Sequence, residues 1–220
     1  MCGRYTLFSI PELTEEYRLA LPDDAEPRYN IAPSQQVLAI SAPDDDQFSQ
    51  FRWGLIPFWA DDESDSIINA RAETVDKKPT FKKLFKTRRC LIPADGFFEW
   101  KKDGERKQPY HLTLKDRDVF CFAGLWDTWS SPADDVIVES CTIITTSPND
   151  LVREIHNRMP VIMPREHEEI WLDAHAEHEA LREILKPYDA SLMNAHPVST
   201  RVNSPRNDSP DILEEPDDSQ

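Results

Sequence analysis

The sequence predicts an α+β fold: an antiparallel β-barrel-like core, or a twisted sheet, with peripheral helices. Three observations lead there. The β-rich segments RCLIPA, GFFEWKK, PYHLTLK, DVFCFAGLWDTW and VIVESCTIITT follow one another from Arg89 to Thr146 at the spacing of an antiparallel sheet or barrel. The amphipathic helical patterns fall towards the two ends of the chain, outside that run. The length of 220 residues fits one large domain, able to bury a core without metal or disulfide staples. The domain is expected over residues 1–202, with residues 203–220 as an acidic disordered tail.

In chain order, Pro11–Ala20 (PELTEEYRLA) reads as a short helix with Pro in its first turn and acids early. Prolines make LPDDAEPRYNIAPSQ a loop. QVLAIS (36–41) and FSQFRWGL (48–55) alternate like strands, and IPFWADDESD after them is loop. NARAETVDKKPTFKKLFKTRRC is expected to be mainly helical, interrupted near Pro79. After the β-rich run, SPNDLVREIH opens a helix with Ser147 or Asn149 as cap. PREHEEIWL and EHEALREILKPY are amphipathic helices, and HPVST is a last short strand.

Composition narrows the function classes. The chain has only 5 glycines and neither GxxxxGK[ST] nor GxGxxG, which argues against a phosphate-cradling nucleotide site. Cys2, Cys90, Cys121 and Cys141 form no CxxC pair, so no metal centre and no cofactor are expected. Cys90, Cys121 and Cys141 read as small buried hydrophobes. No run of 18 apolar residues suggests a membrane span, and MCGRYTLFSIPELTEEYR lacks the basic and apolar regions of a secretory signal. A cytoplasmic monomer without membrane contact is expected. The net charge of −16 opposes generic polyanion binding and suits a salt-rich cytoplasm, where screening is strong. Against that background Lys77–Arg89 (KKPTFKKLFKTRR) holds basic residues and no acid. Phe81 and Phe85 lie four apart there, so one reading is a core-anchored helix with a solvated basic face. The other makes Lys82, Lys83, Lys86 and Arg88 a rim that contacts phosphates.

Cys2 carries the most specific chemistry. Removal of Met1 leaves a cysteine with both a free α-amine and a thiol, a 1,2-aminothiol whose groups are partly nucleophilic near neutrality. An aldehyde gives an imine with the nitrogen, and the sulfur then closes a five-membered thiazolidine. An internal cysteine cannot do this, because its nitrogen is an amide. Taken alone, a cysteine at this position also has the plain reading of an incidental residue.

The segments MCGRYTLF (1–8), RYNIAPSQ (28–35), WGLIPFW (53–59), INARAET (68–74), CLIPADGFFEW (90–100), IHNRMPVIM (155–163) and HPVSTRVN (196–203) occur in that order. Together they resemble the SOS response-associated peptidase (SRAP) family, from Cys2 to about Asn203. The resemblance implies an α+β fold around a barrel-like core. It implies recognition of abasic sites in single-stranded DNA and their shielding by a thiazolidine crosslink during the DNA damage response, with a peptidase activity first proposed for the family. By the same resemblance Cys2 is the nucleophile, and Asn69, Glu99 and His156 are the other active-site positions. Arg4, Arg71 and the WGLIPFW loop line the DNA groove.

These residue types suit the reaction. Glu99, in the apolar segment GFFEW, is fitted to stay protonated and to shuttle the proton of imine formation. A strand-end surface carboxylate is the alternative. His156 can protonate the sugar ring oxygen and open it to the aldehyde, or can be a structural histidine near a helix end. Asn69 can hold the amine or a sugar hydroxyl, or can be the N-cap of a helix over ARAET. Trp53, Phe58 and Trp59 can stack bases or wedge the strand, with at least one of them expected to be core. Three classes of function stay open: a covalent sensor of abasic single-stranded DNA, with lyase activity as a possible extension; an N-terminal-cysteine thiol peptidase acting on its own Met1–Cys2 bond; and a non-covalent single-strand binder.

Overall fold

The structure is a computed structural model that describes residues 2–133 and 135–216. Its strands are β1 (Tyr5–Leu7), β2 (Arg28–Ile31), β3 (Gln36–Ala39), β4 (Ser49–Trp53), β5 (Asn69–Arg71), β6 (Arg89–Ala94), β7 (Gly96–Asp103), β8 (Arg106–Leu114), β9 (Phe120–Ser130), β10 (Ile137–Thr146), β11 (Met159–Pro160), β12 (Ile162–Met163) and β13 (Met193–Pro197). The helices are α1 (Ile10–Tyr17), α2 (Pro79–Lys82), α3 (Leu84–Thr87), α4 (Asp150–Arg153), α5 (Arg165–Leu172) and α6 (His178–Ile184), with short 3-10 turns between them. The α+β class and the long β-rich centre stand as the alternation implied.

The strands form two sheets. The smaller runs β13-β8-β7-β1-β2. The larger runs β12-β9-β10-β4-β3, with β5 and β11 on β10 and β6 on β9. It is mixed: β4 and β5 lie parallel to β10, while β9 and β11 lie antiparallel to it. Neither ladder closes into a barrel among the described residues. The end of β3 meets β6, the strand on β9, at a bridge in which Ile40 and Leu91 exchange N–H···O bonds of 2.9 Å.

The main core lies between the sheets. Tyr5 and Phe97 reach it from the small sheet and Trp53 and Phe122 from the large one. Tyr5 packs edge-on against Trp53 at 5.4 Å and against Phe122 at 5.7 Å. Such pairs add about 0.5–1.5 kcal/mol beyond the area they bury. Cys90, Cys121 and Cys141 are buried in this core as free thiols. Gly96 opens β7 because His111 passes against it, and a Cβ there would sit 2.1 Å from the imidazole Nε2.

The structure corrects two expectations about the chain's organisation. The segment from Asn69 begins as a strand: β5 pairs with β10 over Asn69–Arg71, and the helical turns start only at Pro79. Pairing with a distant strand overrides the local helical composition, and the N-cap reading of Asn69 falls with it. The tail expected to be disordered from Asn203 is docked over residues 203–216. Asp208 accepts from the Tyr29 and Asn30 N–H groups and pairs with Arg28, where β2 is the free edge of its sheet. Ile212 is fully buried with Phe98, Val198 and Val202 on the outer face of the small sheet. Specific edge-capping and burial outweigh the acidic composition there; residues 217–220 lie outside the described residues.

Candidate active site and aromatic turn

Separate elements converge at the head of β1. The β1–β7 register sets Tyr5 opposite Phe97, and Phe98 N–H donates to Arg4 O at 2.9 Å. Continuing that register sets Glu99 opposite Gly3, next to Cys2. Cys2 is fully buried, and its carbonyl accepts from Asn69 Nδ2 at 2.8 Å. Asn69 is fixed because β5 runs beside β10, with Asn69 opposite Ile143.

Glu99 is 2% exposed, and its Oε1 lies 3.7 Å from His156 Nδ1. His156 follows α4, held by its N–H to Val152 O at 2.8 Å, and its Nδ1 lies 3.1 Å from both the N–H and the carbonyl oxygen of Arg158. Asn149 caps α4 by accepting from Val152 N at 2.9 Å, in line with the cap read from the sequence. Burial pushes the Glu99 carboxyl above the usual carboxylate range, partly opposed by His156. Burial, and then the Glu99 charge, push the Cys2 thiol up. The site therefore pairs a carboxyl able to hold a proton, close enough to act on the Cys2 thiol, with an imidazole on that carboxyl.

The residues expected to meet DNA divide. Phe58 and Trp59 stand out at 68% and 53% exposed. They occupy the middle of a turn closed by Ala60 N–H to Pro57 O at 2.9 Å. The base of that turn is anchored: Trp129 Nε1 donates to Ala60 O at 3.0 Å and Ile56 N–H to Ser140 Oγ at 3.0 Å. Gly54, with φ +125°, lets the chain leave β4 towards it. Trp53 is corrected. It is fully buried, donates from Nε1 to Ile68 O at 3.0 Å and has no face for a base.

Lys82, Lys83 and Lys86 are exposed while Phe81 and Phe85 are core, so both halves of the reading of that segment hold for its burial pattern. Arg88 is engaged within the chain: it stacks on Trp126 at 4.7 Å and pairs with Asp127 at 3.1 Å. Arg71 is exposed at the end of β5. Arg4 is turned inward, its Nη1 donating to Asn30 Oδ1 at 2.8 Å and Val202 O at 2.7 Å.

Reading residue by residue passed over Asn30, Glu73 and Arg158, although all three lie inside the ordered motifs. Asn30 is fully buried and its Nδ2 donates to Val202, Ser204 and Asn207 carbonyls, so it ties the C-terminal segment to β2. Among the described residues, no helix is long and apolar enough to cross a membrane.

The chain matches known proteins along nearly its whole length. A family model described as SOS response associated peptidase (SRAP) matches residues 1–205. The chain is 45% identical over 223 residues to the abasic site processing protein YoqW of Bacillus subtilis (strain 168), covering 97% of this chain and 99% of that one. It is 31% identical to the abasic site processing protein YedK of Escherichia coli (strain K12), covering 97% and 99%. A crystal structure of a protein from Bacteroides thetaiotaomicron matches with a TM-score of 0.88 at 29% identity, covering 97% of this chain and 99% of that chain. The chain belongs to the SOS response associated peptidase (SRAP) family.

Proposed function

We propose that this protein processes abasic sites in single-stranded DNA by forming a covalent thiazolidine through Cys2 after removal of Met1. The observation that carries the reading is the setting of Cys2: its carbonyl is held by Asn69, and Glu99, whose charge acts on the thiol, lies 3.7 Å from His156. The relatives named as abasic site processing proteins support the substrate class.

The chemistry balances without a cofactor. The sugar of an abasic site must open to its aldehyde, and His156 is the acid for the ring oxygen. The Cys2 amine adds to the carbonyl carbon and passes one proton to its oxygen; Glu99 donates the proton that lets the oxygen leave as water and takes back the remaining N–H proton to leave the imine. The thiol then adds across the C=N bond, its proton passing to the nitrogen, so one water is lost overall. The raised Glu99 pKa suits an acid that must be protonated before it acts. The exposed Phe58 and Trp59 supply stacking faces for bases. Arg71, Lys82, Lys83 and Lys86 supply cations for phosphates. The thiol pushed up by burial is poor as a peptidase thiolate but adequate to close a ring on an imine already formed.

A denaturing gel of protein with an abasic single-stranded oligonucleotide tests the reading. A band that survives denaturation supports it. Peptide turnover without that band favours the thiol hydrolase, and native binding alone favours a non-covalent binder.

A further inference from the structure

Asn69 and His156 lie on segments that flank β10 from opposite edges. Thr145 pairs with Arg71 of β5 on one edge and with Pro160 of β11 on the other. The chain just beyond β5 carries Glu73, and the chain just before β11 carries Arg158. Across the end of β10 the two side chains meet. Arg158 Nη1 and Nη2 donate to the two Glu73 carboxylate oxygens at 2.6 and 3.0 Å. The same Nη2 donates to Thr145 O at 2.6 Å, a carbonyl that also accepts from Ala72 N at 2.9 Å. Arg158 thus ties both edges to the central strand. Its own main-chain N–H and carbonyl oxygen both meet His156 Nδ1 at 3.1 Å.

We propose that Glu73 is a positioning residue: its bidentate pair with Arg158 clasps the segments carrying Asn69 and His156 and so sets the imidazole against Glu99. This rests on the proposed crosslinking reaction. The planar guanidinium, held at two oxygens and a carbonyl, fixes the direction of the chain at residue 158 in a way that a point charge could not. Through its N–H and its carbonyl, each 3.1 Å from Nδ1, that direction orients the ring whichever nitrogen carries the proton. Loss of the Glu73 carboxylate leaves the Arg158 guanidinium held by Thr145 alone, and the imidazole is free to swing from Glu99. Misplacement of a catalytic group by a fraction of an ångström to an ångström costs up to about 10²-fold in rate.

The test uses the full chain and single-turnover crosslinking to an abasic single-stranded oligonucleotide. Glu73→Ala is expected to lower the rate at saturating DNA about tenfold, with little change in the half-saturating concentration. In a His156→Ala background the same substitution is expected to change the rate by less than about twofold, because residues acting through one another are not additive. Glu73→Gln, which keeps part of the hydrogen bonding, should recover part of the rate. Equal slowing in both backgrounds, or a change in half-saturation alone, would overturn the proposal. Nitrogen NMR of the His156 ring, which needs no substrate, is expected to show a single protonation pattern in the wild type and a mixed one in Glu73→Ala; identical spectra would also overturn it. If the wild type forms no crosslink at all, the reaction assignment fails while the ring spectra still decide the clasp.

Discussion

Asn69 Nδ2 donates to the Cys2 carbonyl at 2.8 Å, so Cys2 is held at the backbone end opposite the amine that the proposed reaction uses. Asn69→Ala is expected to slow crosslinking about tenfold or more, since orientation of the amine is lost. Stability should fall by only about 1 kcal/mol, the net worth of one hydrogen bond. Single-turnover rates and urea melts on the same preparations separate the two effects.

Glu99→Gln should slow formation and reversal of the crosslink together, because one proton shuttle serves both directions. General acid–base catalysis contributes about 10²–10⁴-fold, which sets the expected loss. The buried carboxyl also has a stability signature. Its folded pKa is raised by burial, so its contribution is fully present below the ordinary carboxylate range and is lost as pH rises through the raised value. The difference in melting temperature between Glu99→Gln and the wild type should therefore grow in favour of the variant from about pH 4 to pH 7. A constant difference would contradict the assignment.

The aromatic residues of WGLIPFW are expected to separate cleanly. Phe58→Ala and Trp59→Ala should weaken binding to single-stranded DNA by about 1–3 kcal/mol per base stacked and leave stability nearly unchanged. Trp53→Ala should cost about 3–5 kcal/mol of stability, as for a large core side chain. Fluorescence binding curves beside thermal melts check this, and an exposed residue with no effect on binding would remove it from the interface.

The docked C-terminal segment changes what truncation should do. Ile212 is fully buried, so Ile212→Ala should destabilise by about 2–5 kcal/mol. Deletion of residues 204–220 should destabilise further, because it uncovers Phe98 and Val202 and removes the Asp208 contacts at β2. A truncated protein that melts with the wild type would contradict the docking.

His111 gives an acid limb. Burial, then the nearby His196, pulls its pKa down to about 3, and its Nε2 lies 3.1 Å from Thr6 Oγ1. A neutral buried histidine contributes stability that is present above its ordinary value near 6.5 and is lost as pH falls towards 3. The loss is on the order of a few kcal/mol. His111→Gln should flatten that limb in pH-dependent melts; an unchanged slope would place the proton elsewhere.

The strands β6 to β10 were legible because β-rich runs and their spacing are local features of the chain. β5 was not, since three residues with helical composition become a strand only by pairing with β10. Composition marked the tail as acidic but could not show Asp208 meeting the N–H groups of β2 or Ile212 filling a gap on Phe98. The pattern WGLIPFW offered aromatics without faces; only the turn at Pro57–Ala60 turns Phe58 and Trp59 outward and leaves Trp53 within. The site residues come from separate elements, and no spacing rule brings Cys2, Asn69, Glu99 and His156 together. The order of motifs did, and it carried Glu73 and Arg158 inside those motifs without marking what they do.

The central claim is best tested by peptide mapping of the adduct with an abasic single-stranded oligonucleotide by mass spectrometry, on wild type and Cys2→Ala. The account predicts a peptide that begins at Cys2, lacks Met1, and carries the deoxyribose with loss of one water, with no adduct in Cys2→Ala. An adduct on a lysine, or crosslinking by Cys2→Ala as strong as in the wild type, would contradict it.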